Sequence, residues 1–426
     1  MTESAEPAAG TSATPLFHPV FLGTDQGTYA LARTMHAEYG LTSTVVARGL
    51  SGAIDHSRIL RVVQSGQDSG REELLATLLA EGRRLKAEQP DVPLLLMVNS
   101  DSHVELVSRH ADELGELFEV PFGPLDKLAR VADKTHFAEV CERLGLATPR
   151  SSVVSFAGAD DPGWAPDPVQ VTYPVVAKPA NSADLENMDF PGRQKVWALE
   201  TPQEWEQVVQ TLRDGGFRSE FVVQELIPGD DTHQYSIVAY VDRSARVTAI
   251  ATAQVLLGEH DPLTVGNPVA MITTPMPELM DAAEQILAEL GWWGMANIDV
   301  KRDSRTGTHY FMEMNPRMGR NSFYATAAGA DIAGALVDDM ILGLERTPQR
   351  GMREILYSIV SPLMIPYYVR DKDLRRRVRA AARRAVVHPL LYSEDRRRRR
   401  GYVLLQRVNH VRKFAKHYPR VSESGF

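Results

Sequence analysis

Asp299, Glu313 and Asn315 are the residues whose types and spacing most directly suggest chemistry. Residues 297–301 and 309–313 alternate like strands, and residues 303–308 between them are rich in turn formers. A hairpin centred on Thr306 sets Asp299 opposite Glu313 and places both carboxylates on one face, with Asn315 two residues on. Two carboxylates and an amide oxygen side by side repel one another unless a hard cation sits among them. Mg2+ takes such oxygen ligands and commonly bridges nucleotide phosphates. Arg317 keeps the same register and offers a fork suited to phosphate oxygens. The plainer alternative is a solvent-facing polar hairpin edge, which the adjoining apolar run Tyr310-Phe311-Met312 opposes.

Two lysines extend this pattern. Lys178 ends the apolar stretch Tyr173-Pro174-Val175-Val176-Ala177, a costly place for an ammonium group unless an anion meets it. Lys134 lies in a segment that reads as one helix over residues 126–144. Either could instead snorkel to solvent. Taken with Gln224-Glu225 before a turn and the acidic hairpin, they form a cradle for a nucleoside triphosphate. The chain holds no G-x-x-x-x-G-K-[ST] loop and no G-x-G-x-x-G, which disfavours a P-loop or dinucleotide-binding site.

These residues need elements to hold them. Pro19-Val20-Phe21-Leu22-Gly23, residues 42–47 and residues 93–98 read as strands, with helical patterns after the first and near residues 72–88. That alternation predicts a parallel α/β domain over residues 17–122, preceded by a disordered tail over 1–16. Thr24-Asp25 and Asn99-Ser100-Asp101 fall at the carboxyl ends of these strands, where ligands bind, and would serve equally as helix N-caps. Residues 221–229, 235–241 and 246–255 supply further strands. From about residue 346 the chain becomes basic and mainly helical.

At 426 residues, with 43% hydrophobic and 24% charged residues, the chain supports two or three globular domains. One cysteine, Cys141, excludes an internal disulfide framework and a Cys-based zinc site, and favours a cytoplasmic setting. No signal peptide and no membrane span are evident. The net charge of −8 hides an asymmetry: residues 370–420 carry 18 Lys/Arg against four Asp/Glu, a local +14 that leaves about −22 elsewhere. A single arginine run would be a solvated helix face, but recurrent runs attract a polyanion.

The ordered set Asp133-Lys134, Pro174-Val175-Val176-Ala177-Lys178-Pro179, Gln224-Glu225-Leu226-Ile227-Pro228-Gly229, Asn297-Ile298-Asp299 and Glu313-Met314-Asn315-Pro316-Arg317 resembles the ATP-grasp superfamily over residues 18–345. The resemblance implies an N-terminal parallel α/β domain, then an ATP-grasp fold of two α+β subdomains over 123–345, then the basic region 346–426. It implies Lys134 and Lys178 on the ATP phosphates and Gln224, Glu225 and Leu226 as the adenine hinge. Asp299, Glu313 and Asn315 would hold two Mg2+ ions, with Mn2+ as a substitute, and Arg317 would meet the transferred phosphoryl group. Asp299 stands where many members have Glu. The expanded loop after the hinge leaves Asp231 and Gln234 as alternatives for the ribose.

A narrower resemblance, to the peptidoglycan D-aspartate ligase group, rests on Pro19 to Asp25, Lys178-Pro179-Ala180-Asn181-Ser182 with Lys195, Asn315-Pro316-Arg317-Met318-Gly319-Arg320-Asn321-Ser322 and His388-Pro389-Leu390-Leu391-Tyr392. It implies an ATP-dependent ligase joining an amino-acid carboxylate to an amine, with Lys195 on the phosphates. Asp25, Arg320, Asn321 and Ser322 would serve the substrate, Arg320 facing an oxyanion or a second carboxylate. Met318 stands where a polar residue such as Gln is expected. The loop over residues 181–195 either closes over the phosphates or is an ordinary surface loop. The +14 region favours an anionic, amine-bearing wall precursor and peripheral contact with the inner face of an anionic membrane, and nucleic acid is disfavoured. The alternatives are an amino-acid or dipeptide ligase acting on soluble metabolites, and a non-catalytic nucleotide-binding or RNA-binding module.

Overall fold

Three β-sheets carry the elements that position these residues. The computed structural model describes residues 15–122, 125–181, 183–186 and 188–422. The expected tail therefore lies almost wholly outside the described residues, as do Ser182 and Asn187 of the 181–195 loop.

The first sheet is the predicted parallel one. Its strands lie in the order Leu60–Gln64, Ser43–Ala47, His18–Leu22, Leu94–Val98, every pairing parallel. Ser43–Ala47 and Leu94–Val98 are buried throughout, as strands covered on both faces must be. The chain then turns through Gly23, at φ 109°, into the helix Gln26–Tyr39. Asp25 caps that helix by accepting from the Thr28 amide at 2.8 Å. Ser100 caps the helix Asp101–Arg109 in the same way. Both capping roles are filled, so the helix-cap reading of these loops holds.

The helix expected over 126–144 is two helices, Leu125–Ala132 and Lys134–Arg143. Asp133 breaks it: in extended conformation, it accepts from the His136 amide at 2.8 Å and caps the second helix. Lys134 thereby becomes the first residue of a helix rather than one of its interior residues.

The second sheet is a small antiparallel unit in the order Ser151–Ser155, Glu220–Glu225, Val175–Pro179, Trp197–Leu199. It has its own core, in which Phe156, Phe217 and Phe221 pack edge to face beside Trp197 and Trp205. The helix Pro202–Asp214 supplies Trp205 and covers this face.

The third sheet runs His309–Asn315, Gly294–Arg302, Gln234–Val241, Val247–Gly258, Pro268–Thr273, Leu356–Ser358, Val386–Val387, with Gln349–Arg350 beside Val247–Gly258. Strands beyond residue 345 thus extend the same sheet, and the basic region grows out of it. That region is helical over Lys372–Arg384 and Arg399–His417 and folds back onto the first domain. The Tyr29 hydroxyl donates to Asp395 at 2.7 Å, and Arg33 donates to the carbonyls of His388 and Pro389. One hydrophobic core accordingly joins Tyr29, Tyr324, Tyr357 and Phe414 from four parts of the chain. Among the described residues, no helix is long and apolar enough to cross a membrane.

Candidate active site

Asp299 and Glu313 are direct cross-strand partners, with Asn297 opposite Asn315. The hairpin reaches this register by a less direct route than a turn centred on Thr306. Its outer half pairs Arg302 with His309 and Val300 with Phe311, and the register then shifts by one before Asp299 meets Glu313. A β-bulge at Met312 absorbs the extra residue and keeps both carboxylates on one face.

Glu313 lies in a basic cluster. Its Oε2 is 2.9 Å from Lys178 Nζ and 3.5 Å from Lys134 Nζ. Lys178, then Lys134 and Lys195, hold the Glu313 carboxyl well below the usual range against the opposing effect of burial. Asp299 has the opposite fate. Burial and then the Glu313 charge push it up to about 6. Its oxygens accept from Asn297 Nδ2 at 3.1 Å and Asn315 Nδ2 at 3.3 Å. Asn297 is in turn held by the Ser236 hydroxyl at 2.9 Å.

This donor set fits a hard divalent cation. Asp299 and Glu313 bring two carboxylates to one face beside the Asn315 side chain, and burial with the Glu313 charge raises Asp299, a repulsion that a cation would relieve. Among the described residues, no group of three or more His, Cys, Asp and Glu residues could hold a metal alone. Remaining coordination positions would therefore fall to phosphate oxygens and water.

The lysines come from different elements. Lys178 is on the small sheet, Lys134 starts its helix, and Lys195 follows the loop that leads to Trp197–Leu199. Burial, then the Lys178 charge, lowers Lys134 to about 8, against the pull of Glu313. Burial likewise lowers Lys195, whose Nζ is 3.5 Å from Asn267 Oδ1 and whose amide donates to the Pro262 carbonyl at 2.9 Å. Lys178 and Lys134 reach the Glu313 carboxylate and the Lys195 charge acts on it as well, an arrangement suited to receiving a polyphosphate.

Arg317 makes a two-pronged contact with Asp101 at 2.6 and 2.8 Å, and its Nη2 also reaches Asn315 Oδ1 at 3.4 Å. The first domain thus helps to orient the arginine of the hairpin segment. Asp101 is a site residue whose role the sequence did not reveal. Its place at a strand end was visible, but its partner 216 positions away was not.

Arg320 and Asp25 face each other at 3.9 Å, both partly exposed. Asn99 Nδ2 holds the two Asp25 oxygens at 3.0 and 2.9 Å. Gly27 is required here, because a Cβ on it would lie 2.0 Å from Asn99 Nδ2. Asn321 is buried and accepts from Gln26 Nε2 at 2.8 Å and the Tyr357 hydroxyl at 3.1 Å, locking the loop after Arg320 to the first helix. Ser322 is buried and donates its amide to Gly319. Met318 is in the hydrophobic core and not in the site.

Gln224 is buried and borders a narrow cleft together with Lys134, Phe137, Phe311 and Met312. The Glu225 amide donates to Arg150 and the Leu226 amide to Pro174. The ribose alternatives now differ. Asp231 is buried, and its Oδ2 is committed to the Gly258 amide at 2.8 Å and to His260 at 3.0 Å. Gln234 begins its strand half-buried. Lys301, unremarked in the sequence, supports this loop by donating to Gly229 at 2.6 Å and Asp230 at 3.3 Å.

The fold and the site together define the class. Residues 131–320 match the ATP-grasp domain family. Solved structures of similar fold include the biotin carboxylase domain of Hydrogenobacter thermophilus 2-oxoglutarate carboxylase in complex with MgADP, at TM-score 0.56 and 13% identity over 80% of this chain and 73% of that one. Another is N5-carboxyaminoimidazole synthetase from Staphylococcus aureus complexed with ADP, at TM-score 0.54 and 13% identity over 80% and 81%. The chain thus carries an ATP-grasp domain over residues 131–320, and it is similar to carboxylate–amine ligases. Among individual proteins, D-aspartate ligase of Enterococcus faecium (strain Aus0004) is 27% identical over 410 residues, covering 94% of this chain and 97% of that protein. D-alanine–D-alanine ligase of Xylella fastidiosa (strain Temecula1 / ATCC 700964) is 26% identical over 239 residues, 54% of this chain and 72% of that protein.

Proposed function

We propose that this ligase activates the β-carboxylate of D-aspartate and joins it to the side-chain amine of a lysine-type peptidoglycan stem-peptide precursor, at the cytoplasmic face of the membrane. The observation that carries the proposal is the Asp25–Arg320 pair, whose arginine stands three residues beyond Arg317, in a chain similar over 94% of its length to a D-aspartate ligase. A zwitterion with a second carboxylate needs complementary charges at fixed separation. Asp25 meets the substrate ammonium, and Arg320 its free carboxylate.

A carboxylate becomes reactive toward an amine only when its oxygen is made a leaving group. The substrate oxygen attacks the terminal phosphorus of ATP, ADP leaves, and an acyl phosphate forms. The neutral amine then attacks the acyl carbon, and phosphate and a proton are released. The protein contributes position and charge neutralisation. Lys134, Lys178 and Lys195 hold phosphate oxygens, and Arg317, oriented by Asp101, meets the transferred group. Phe311 and Met312 offer apolar contact to the adenine, Gln224, Glu225 and Leu226 form its hinge, and Gln234 is nearer to hand for the ribose than the engaged Asp231. Two Mg2+ ions, or Mn2+ in their place, would be held by Asp299, Glu313 and Asn315 and would offset the charge of the phosphates.

ADP release measured across D-Asp, L-Asp and other amino acids, each with lysine-bearing stem peptides, tests this reading. ADP should form only when Mg2+, a carboxylate donor and an amine acceptor are all present, with D-Asp preferred, and Glu313→Ala should abolish it. Equal turnover with a free amino acid as the acceptor would instead mark a ligase of soluble metabolites. Turnover that survives Glu313→Ala would remove the metal assignment.

A further inference from the structure

The helix Arg399–His417 has two faces of different character. Val403, His410 and Phe414 point inward, Arg399 donates to the carbonyl of Ala53 at 2.6 Å, and His410 pairs with Glu259 at 3.2 Å. On a face about a third of a turn away, Leu404, Val408, Val411 and Ala415 follow the i, i+4, i+7, i+11 spacing of a single helical stripe, and all four are exposed. Leu405 lies beside the stripe. Leu404 and Leu405 are 64% and 70% exposed, unusual for adjacent leucines on an ordered helix. The stripe runs into an open apolar depression formed by Val411, Ala415, Pro419, Met364 and Tyr367, and Leu363 next to it is 89% exposed. Arg396, Arg397, Arg398, Arg400, Arg412 and Lys416, on the same helix or immediately before it, are exposed as well.

We infer that the outward face of the helix Arg399–His417, with Leu363 and Tyr367, is a docking surface for an anionic lipid bilayer. A soluble polyanion or an RNA would be matched by the arginines alone and leaves the leucines unexplained. A second copy of the chain would cover the leucines but would oppose one +14 region to another. A bilayer interface answers both features. Apolar side chains enter the boundary between headgroups and acyl chains, and the guanidinium groups meet lipid phosphates. The inward face holds the helix rigidly in this orientation through Arg399, His410 and Phe414. Beside that face Lys413 pairs with Asp261 at 3.6 Å, and the carbonyl of the next residue, Pro262, accepts from the Lys195 amide. The inference stands apart from the choice of donor and acceptor, because binding to lipid is read without turnover.

Co-sedimentation of the full chain with vesicles tests it, comparing phosphatidylcholine alone with a phosphatidylcholine–phosphatidylglycerol mixture. The chain should pellet with the anionic vesicles and remain in the supernatant with the neutral ones. The double variant Leu404→Asp/Leu405→Asp should weaken that binding about tenfold or more, with unchanged thermal unfolding. Arg397→Glu/Arg398→Glu should also weaken it and should leave a smaller dependence on salt. Failure to bind anionic vesicles would overturn the inference. So would binding that is indifferent to the leucine changes while RNA competes for it, which would mark a polyanion site. A concentration-dependent dimer abolished by Leu404→Asp/Leu405→Asp would assign the surface to a second copy instead.

Discussion

Asp299 and Glu313 sit a cross-strand distance apart and titrate in opposite directions, because the lysines lie on the Glu313 side. Lys178 and Lys134 both reach one Glu313 oxygen, whereas Asp299 has only amide donors. With its carboxyl raised to about 6, Asp299 is charged at pH 7 at a cost to the fold. Removing that charge relieves the cost. Asp299→Asn should therefore raise the stability of the free enzyme by about 1–3 kcal/mol, and thermal unfolding should show it. The order should reverse with ATP and Mg2+ present, since the variant loses the cation that stabilises the wild type. Asp101→Asn tests a different residue, one that positions rather than reacts. It weakens the grip on Arg317, and kcat should fall about 10- to 100-fold with the KM for ATP little changed. An equal loss in both would show that Asp101 supports nucleotide binding itself.

At the scale of elements, two local breaks matter more than the regular stretches. The bulge at Met312 lets an off-centre turn still deliver Glu313 to Asp299. The cap at Asp133 ends one helix and begins the next at Lys134. Asp133→Ala should lose about 1 kcal/mol of stability, and it should weaken ATP binding by displacing that lysine. The segment His388 to Tyr392 is the other decisive element, because it clamps the C-terminal region onto the helix Gln26–Tyr39. His388 is buried there, and burial, then the Arg407 and Arg33 charges, lower it to about 3. The unfolded chain therefore binds a proton at a pH where the native chain does not. Stability contributed by neutral His388 is complete above about 6.5 and is lost as pH falls toward about 3, on the order of 1.4 kcal/mol for each unit. Thermal unfolding of the wild type should accordingly decline more steeply below pH 6.5 than that of His388→Gln. Parallel pH profiles would remove His388 from this role.

At the scale of the molecule, nucleotide binding must join two bodies with separate cores. The small sheet carries Lys178 and packs around Phe221, whereas Glu313 belongs to the large sheet. Between them run the Lys178–Glu313 pair, the Lys134–Ala180 hydrogen bond and the short bridge of Ala147 to Tyr310. ATP with Mg2+ should therefore slow amide exchange in Val175–Pro179 and Glu220–Glu225 more than in the parallel sheet of the first domain. Uniform protection would argue for a single rigid body. The first domain and the basic region meet through Tyr29, Asp395 and Arg399, so the Asp25–Arg320 pair and the proposed lipid-facing helix share one frame.

The amino-acid order by itself determined the chemistry available. The spacing of Asp299, Glu313, Asn315 and Arg317, the strand-end Lys178, and the alternation of strands and helices are local patterns, set by side-chain period and turn composition. The parallel first sheet was legible for that reason, and the class of enzyme through the family resemblance that these motifs carry. What needed the tertiary structure were the pairings between residues hundreds of positions apart: Arg317 with Asp101, Arg320 with Asp25, Asn321 with Gln26. No periodicity encodes these, since they depend on how separate elements pack. The same holds for the basic region. Its charge was plain in the sequence, but only packing decided that Val403 and Phe414 are buried while Leu404 and Leu405 are left facing out.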